Sequence, residues 1–205
     1  MRKLLRDATH HHHVLLNRHP LLLGLTRPDL NLSVYCTLLT AYFRIYQKIE
    51  DRIDQFLAFH PAVFDYTTRQ KSTWLRSDLE YFGVDLNMQR KIPSQMAGVP
   101  EITQIGHLAG VLYAIEGSSL GGQYISSCLS KHHGLSIDRG ARFFNGYGER
   151  TQNMWQEFLG FSESLAGDTV QCQSAEIAAC QTFRFFNEVL DMYIHNSHGK
   201  ELGND

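Results

Sequence analysis

Apolar residues recur at three- and four-residue steps along nearly the whole chain, and any fold built from this sequence must bury that helical period. The five prolines fall between the periodic segments, with Pro20, Pro28 and Pro61 in connections where a helix has to stop. Helices are predicted over about 2–17, 31–59, 67–82, 101–130, 138–144, 150–165 and 173–195. No strand-helix alternation appears, so the expected class is all-α, a helical bundle. At 205 residues the chain has the length of one domain with a core large enough to need no disulfide or metal staple. We therefore expect a single domain over 1–205, ending in a flexible polar tail at about 197–205.

Charge does not point to a polymeric partner. The net charge of -2 gives no overall attraction for nucleic acid or a membrane surface, and neither is expected as a partner. Nowhere do 18 apolar residues run together, so no membrane span is expected, and the charged start at Arg2, Lys3, Arg6 and Asp7 does not read as a secretory signal. Cys36, Cys128, Cys172 and Cys180 show no C-x-x-C spacing and sit in apolar-periodic segments, as reduced thiols in a cytoplasmic protein would.

Against this regular background one stretch stands out, Glu116-Gly117-Ser118-Ser119-Leu120-Gly121-Gly122-Gln123. Ile102, Ile105, Leu108, Leu112, Ile115 and Ser119 keep the helical period through it, so the glycines lie within a helix. Each costs roughly 1 kcal/mol there relative to alanine, which implies that something must approach the backbone closely. Gly117 and Gly121 have the spacing for close helix packing. Gly117-x-Ser119-x-Gly121 also matches a hydrolase nucleophile elbow, although that device belongs to a parallel sheet this chain does not supply. A ligand held close to the helix backbone is the third reading.

The first predicted helix carries His10-His11-His12-His13 inside a continuous apolar pattern. On a helical wheel Leu4, Leu5, Ala8, His12, Leu15 and Leu16 form one broad apolar sector with His12 near its centre. Arg6, Thr9 and His13 form a stripe on its edge, a geometry that suits an iron ligand paired with a cation for a ligand carboxylate. A satisfied core His12 beside a boundary His13 is the plainer alternative. No second histidine or cysteine stands at zinc-ligand spacing on that face.

Three segments together resemble a known family. Leu5-Arg6-Asp7-Ala8-Thr9-x-x-x-His13-x-x-Leu16-Asn17 resembles the first helix of haem oxygenases. Leu38-Leu39-x-x-Tyr42-x-x-Ile45-Tyr46-x-x-Ile49-Glu50-Asp51-x-Ile53 is similar to that family's second helix. Tyr113-x-x-Glu116-Gly117-Ser118-x-Leu120-Gly121-Gly122 resembles the kinked distal helix of its bacterial branch, including the enzymes found beside bacterial phytochromes. Arg69 to Gly83, Phe143-Phe144-x-x-Tyr147-Gly148 and Met154-Trp155 extend the match over roughly residues 2 to 190.

The resemblance implies oxidative opening of haem b, both substrate and oxygen-activating cofactor, by O2 and electrons to biliverdin, ferrous iron and carbon monoxide. A haem carrier or sensor on the same fold is the alternative. It implies His13 as proximal iron ligand, Arg6, Thr9 and Tyr113 as cofactor contacts, and Gly117, Gly121 and Gly122 as a distal wall open enough for the ring. Gly117, Ser118 and Gly121 are the expected catalytic positions, with Ser118 standing where the animal enzymes carry an aspartate. Phe183 and Asn187 are expected at the pocket, and Trp155 and Leu159 replace later cations of the animal enzymes. Electrons would come from an external donor, a ferredoxin or flavoprotein reductase docking near Arg2, Lys3, Arg6 and Arg18, and a bacteriophytochrome or other biliverdin acceptor would take the product.

Overall fold

The computed structural model describes residues 1–88, 92 and 98–197. Among them, eight α-helices follow one another with no strand: α1 (Arg2–Asn17), α2 (Pro20–Leu23), α3 (Leu32–Phe59), α4 (Lys71–Tyr81), α5 (Ile105–His133), α6 (Arg142–Asn145), α7 (Thr151–Ser164) and α8 (Thr169–Ser197). The all-α class expected from the periodicity is the class observed. Residues 198–205 of the expected tail lie outside the described residues, and among those described no helix is long and apolar enough to cross a membrane.

Local chemistry explains where the helices depart from the expected boundaries. α8 begins at 169 rather than 173 because the Asp168 carboxylate accepts the Val170 and Gln171 N–H groups at 2.9 and 3.2 Å. α5 starts at 105 rather than 101 and runs to 133 rather than 130. It ends where Gly134, at φ +65°, turns the chain so that Gly134 and Leu135 donate to Ser130 and Leu129 carbonyls. α4 starts at 71, not 67, since Asp65 holds Thr67 in a turn through its N–H at 2.9 Å and its hydroxyl at 2.6 Å. The first N–H groups of α4, at Lys71 and Ser72, are then capped from another helix, by Glu50 of α3. Pro20, expected in a connection, occupies the first turn of α2 behind the capping ring of His19.

α3 runs through the middle of the core, with Leu38, Leu39, Ile45, Tyr46, Ile49 and Ile53 all fully buried. α5 packs on α8 at very short range. A Cβ at Gly110 would collide with the Ala175 carbonyl oxygen and stand 2.8 Å from the Ala179 nitrogen, and one at Gly106 would stand 2.9 Å from Ser174 Cβ. The small-residue helix contact that the sequence suggested at Gly117 and Gly121 is therefore made one segment earlier. On α1 the buried positions are Leu5 and Thr9, whereas Leu4 and Leu15 are 37% and 47% exposed. The buried stripe is thus rotated from the wheel's centre at His12 toward the line that continues into His13, and Leu5 meets Ala109, Ala175 and Ala179.

α6 is four residues long, not the expected stretch from 138, and is held by a neighbour: buried Asp78 of α4 accepts from Arg142 and Phe143 N–H at 2.7 and 2.8 Å. Burial outweighs those bonds and pushes the Asp78 carboxyl up to about 6 from 3.8. The folded state therefore binds this proton more tightly than the unfolded chain, and Asp78 adds stability as pH falls from about 6 toward about 4. Asp78→Ala leaves two N–H groups unpaired and is expected to cost about 1–3 kcal/mol at neutral pH. Thermal melts should show the gap to wild type widening between pH 7 and pH 5; a gap that narrows on acidification contradicts this account.

Candidate functional site

α1 and α5 face each other across a cleft of about 320 Å³, within the size range of small-molecule sites. His13 and Asn17 look into it from α1, and Gly117, Ser118 and Gly121 from α5. Tyr42 and Tyr46 of α3, Phe143 and Phe144 of α6, Trp155 of α7 and Phe183 and Phe186 of α8 supply aromatic walls. Arg2, Arg6 and Lys71 are its lining cations, and no carboxylate lines it among the described residues. Such a space suits a flat, largely apolar molecule that carries negative charge at its rim.

The His13 ring stands edge-on to Phe183, centroids 6.0 Å apart, and the Asn17 amide lies 3.2 Å from Nδ1. Desolvation first, then the neighbouring His10, hold the His13 pKa below the ordinary histidine value, so the ring is neutral at neutral pH and one nitrogen keeps a lone pair for a metal. With the Asn17 amide turned end for end, its oxygen takes the Nδ1 proton and Nε2 is left as the ligating atom.

Opposite His13 the three glycines differ. A Cβ at Gly121 would meet no atom within 4 Å, so this position is bare backbone facing open cleft. One at Gly117 would make an ordinary 3.8 Å contact with the Trp155 ring. One at Gly122 would stand 2.8 Å from the Phe144 carbonyl oxygen, so that glycine both lines the cleft and lets α6 approach α5. Ser119 lies within α5, which removes the nucleophile-elbow reading. The Ser118 hydroxyl donates to the Ile115 carbonyl at 2.8 Å, so at 3.2 Å from Tyr46 it can only accept the phenol's proton.

Arg6 and Tyr113 line the cleft as expected, Thr9 does not: it is buried, donates to the Leu5 carbonyl at 2.7 Å, and lies beside the Tyr113 phenol. Asn187 likewise turns back to the Phe183 carbonyl at 3.1 Å and is absent from the lining. Arg2 was not foreseen as a site residue, since an arginine one turn before Arg6 at a chain start reads as a solvated charge. Trp155, noted in the sequence as a lost cation, is a wall, 6.1 Å from the Tyr113 ring.

A buried ionic cluster that no local spacing announces stands behind α5. The Glu116 carboxylate accepts from Arg69 Nη1 at 3.0 Å, from Lys71 Nζ at 2.6 Å and from the Tyr147 hydroxyl at 2.9 Å. Lys71 Nζ also reaches the Tyr147 oxygen at 3.0 Å and the Arg69 carbonyl at 3.4 Å, while Arg69 continues to Glu157 at 2.7 Å. Arg69, Lys71 and Glu116 are each at most 2% exposed. A sequence signal existed in Glu116, an acidic residue on an apolar helix next to Gly117, and its buried partners account for it.

The family model described as Heme oxygenase matches residues 1–192. No curated protein matches the chain. Among solved structures, a haem oxygenase from Leptospira interrogans is similar over 92% of this chain and 97% of its own, at 17% identity and a TM-score of 0.76. The NO- and CO-bound haem oxygenase of Neisseria meningitidis is similar over 93% of this chain and 90% of its own, at 20% identity and 0.73. Haem oxygenase-1 of the cyanobacterium Synechocystis, solved with haem, covers 97% of both chains at 17% identity and 0.61.

Proposed function

The chain belongs to the haem oxygenase family, and from that premise we propose that the cleft between α1 and α5 takes haem as its substrate, with the ring between His13 and the backbone at Gly117 and Gly121. The protein is a haem-degrading oxidoreductase. The observation that carries the placement is the pairing of a neutral, cleft-facing imidazole with an opposing helix surface that has no side chain at Gly121. Haem, once bound, supplies the iron that activates O2 and the carbon that is oxidised.

The residues then divide the work. His13 would hold the iron, and Asn17, beside Nδ1, would fix which ring nitrogen does so. Arg2 and Arg6, on successive turns of α1, receive the two propionates, with the Tyr113 hydroxyl beside them. Tyr42, Phe143, Phe144 and Phe186 keep bulk water from the apolar ring. Ser118, whose own proton is committed to Ile115, orders water on the α5 side as an acceptor and does not serve as an acid. Electrons come from a ferredoxin or flavoprotein reductase approaching the basic start of α1.

Purified protein given haemin, O2 and a reductant such as ascorbate or a ferredoxin system is expected to lose its Soret band as biliverdin absorption rises. A bound haem that keeps its Soret band through repeated reduction in air would overturn the enzymatic reading and leave a carrier.

A further inference from the structure

Resting on the haem reading above, we propose that Lys71 and Glu116 act as a charge pair that sets the protonation of whatever ligand occupies the α5 side of the bound haem. Ser118 offers no titratable proton there, and Lys71 is the one buried cation among the described lining residues, 1% exposed where Arg2 and Arg6 are open to solvent.

A buried ion pair is weak support for stability, because well-packed apolar residues of the same volume commonly do as well. A cluster of this kind in the wall of a substrate cleft therefore asks for a use. Two cations, Arg69 and Lys71, meet three carboxylates, Glu116, Glu50 and Glu157. Lys71 faces Glu116 from α5, Glu50 from α3, the Tyr147 hydroxyl, and the rings of Tyr66 and Trp74 at 5.9 and 5.7 Å. Arg69 balances the far side of Glu116 and ends on half-exposed Glu157. The Lys71 ammonium spends its three protons on Glu116, Tyr147 and the Arg69 carbonyl, so it works as a fixed charge and not as a donor. The next residues along α5 are Gly117 and Ser118, and the Ser118 and Tyr46 hydroxyls are hydrogen-bonded at 3.2 Å, so the cluster adjoins the polar pair that touches the cleft. In a poorly solvated wall, removal of one member uncovers the field of the other.

Opposite signs follow for the two single charges. In the ferric haemin complex, followed optically from about pH 6 to about pH 11, ionisation of the bound water gives a spectral midpoint. Lys71→Met leaves an uncompensated negative charge and is expected to raise that midpoint, and Glu116→Gln to lower it, each by on the order of one pH unit. Lys71→Arg keeps the charge and is expected to leave the midpoint near wild type. Midpoints that do not move, or that move the same way in both neutralising variants, overturn the proposal and reduce the cluster to a structural brace. If Lys71→Met does not fold, Glu116→Gln decides: a lowered midpoint supports the proposal and an unmoved one overturns it. A wild-type protein that forms no Soret complex at all overturns the haem reading and this proposal together, whereas a normal complex with unmoved midpoints overturns this proposal alone.

Discussion

His13→Ala is expected to yield a folded protein that still takes up haemin but degrades it at least about a hundredfold more slowly, a loss near 2.7 kcal/mol in barrier height. Stability should hardly change, because the His13 side chain faces open cleft and touches little beyond Asn17 and the edge of Phe183. Surface-type substitutions of this sort stay within about 0.5 kcal/mol. Affinity for haemin should fall less than turnover, since the aromatic walls and the Arg2 and Arg6 guanidinium groups remain. In the proposed placement, what would be lost is the one cleft-facing imidazole nitrogen that would hold the iron. Free imidazole, small enough for the vacated volume, is expected to restore the axial spectrum and part of the turnover. A variant that turns haemin over at the wild-type rate would remove His13 from the iron and place the ligand elsewhere among the cleft residues.

The helical class was legible because period is a property of each segment alone, and the resemblance, carried by motifs within single helices, named His13, Arg6, Tyr113, Gly117 and Gly121, which all line the cleft. Legibility stopped where position depends on a second element. Thr9 shares the stripe with Arg6 and His13, yet it is buried, with its hydroxyl on the Leu5 carbonyl and beside Tyr113 of α5. Asn187, one turn beyond Phe183 on α8, spends its amide on the Phe183 carbonyl and is not among the cleft residues. Gly122 lines the cleft with Gly117 and Gly121, and its tight contact, which local spacing does not announce, is with the Phe144 carbonyl of α6, a four-residue helix held by the Asp78 carboxylate of α4. The partners of Glu116 lie 47 and 45 residues away at Arg69 and Lys71, and nothing in local spacing links them.

Two glycines of α5 separate packing from binding by experiment. Gly110→Val is expected to destabilise the fold by about 3 kcal/mol or more, since the new side chain meets Ala175 and Ala179 backbone that cannot move without lifting α8 from α5. For a chain of this size that is a fall in melting temperature of roughly 6–12 °C. Gly121→Val should do the reverse. Its Cβ enters open cleft, no protein atom lies within 4 Å, and valine is a slightly better helix former than glycine, so the melting temperature should hold or rise by a little. The branched side chain would nevertheless occupy the strip of backbone on which the ring is to lie, and haemin affinity should fall by on the order of a hundredfold or more, about 2.7 kcal/mol. Haemin titration and a thermal melt on the same two preparations read both effects. If Gly121→Val bound haemin as tightly as wild type, the ring would not lie on this face of α5, and the absence of a side chain at Gly121 would have no part in holding the substrate.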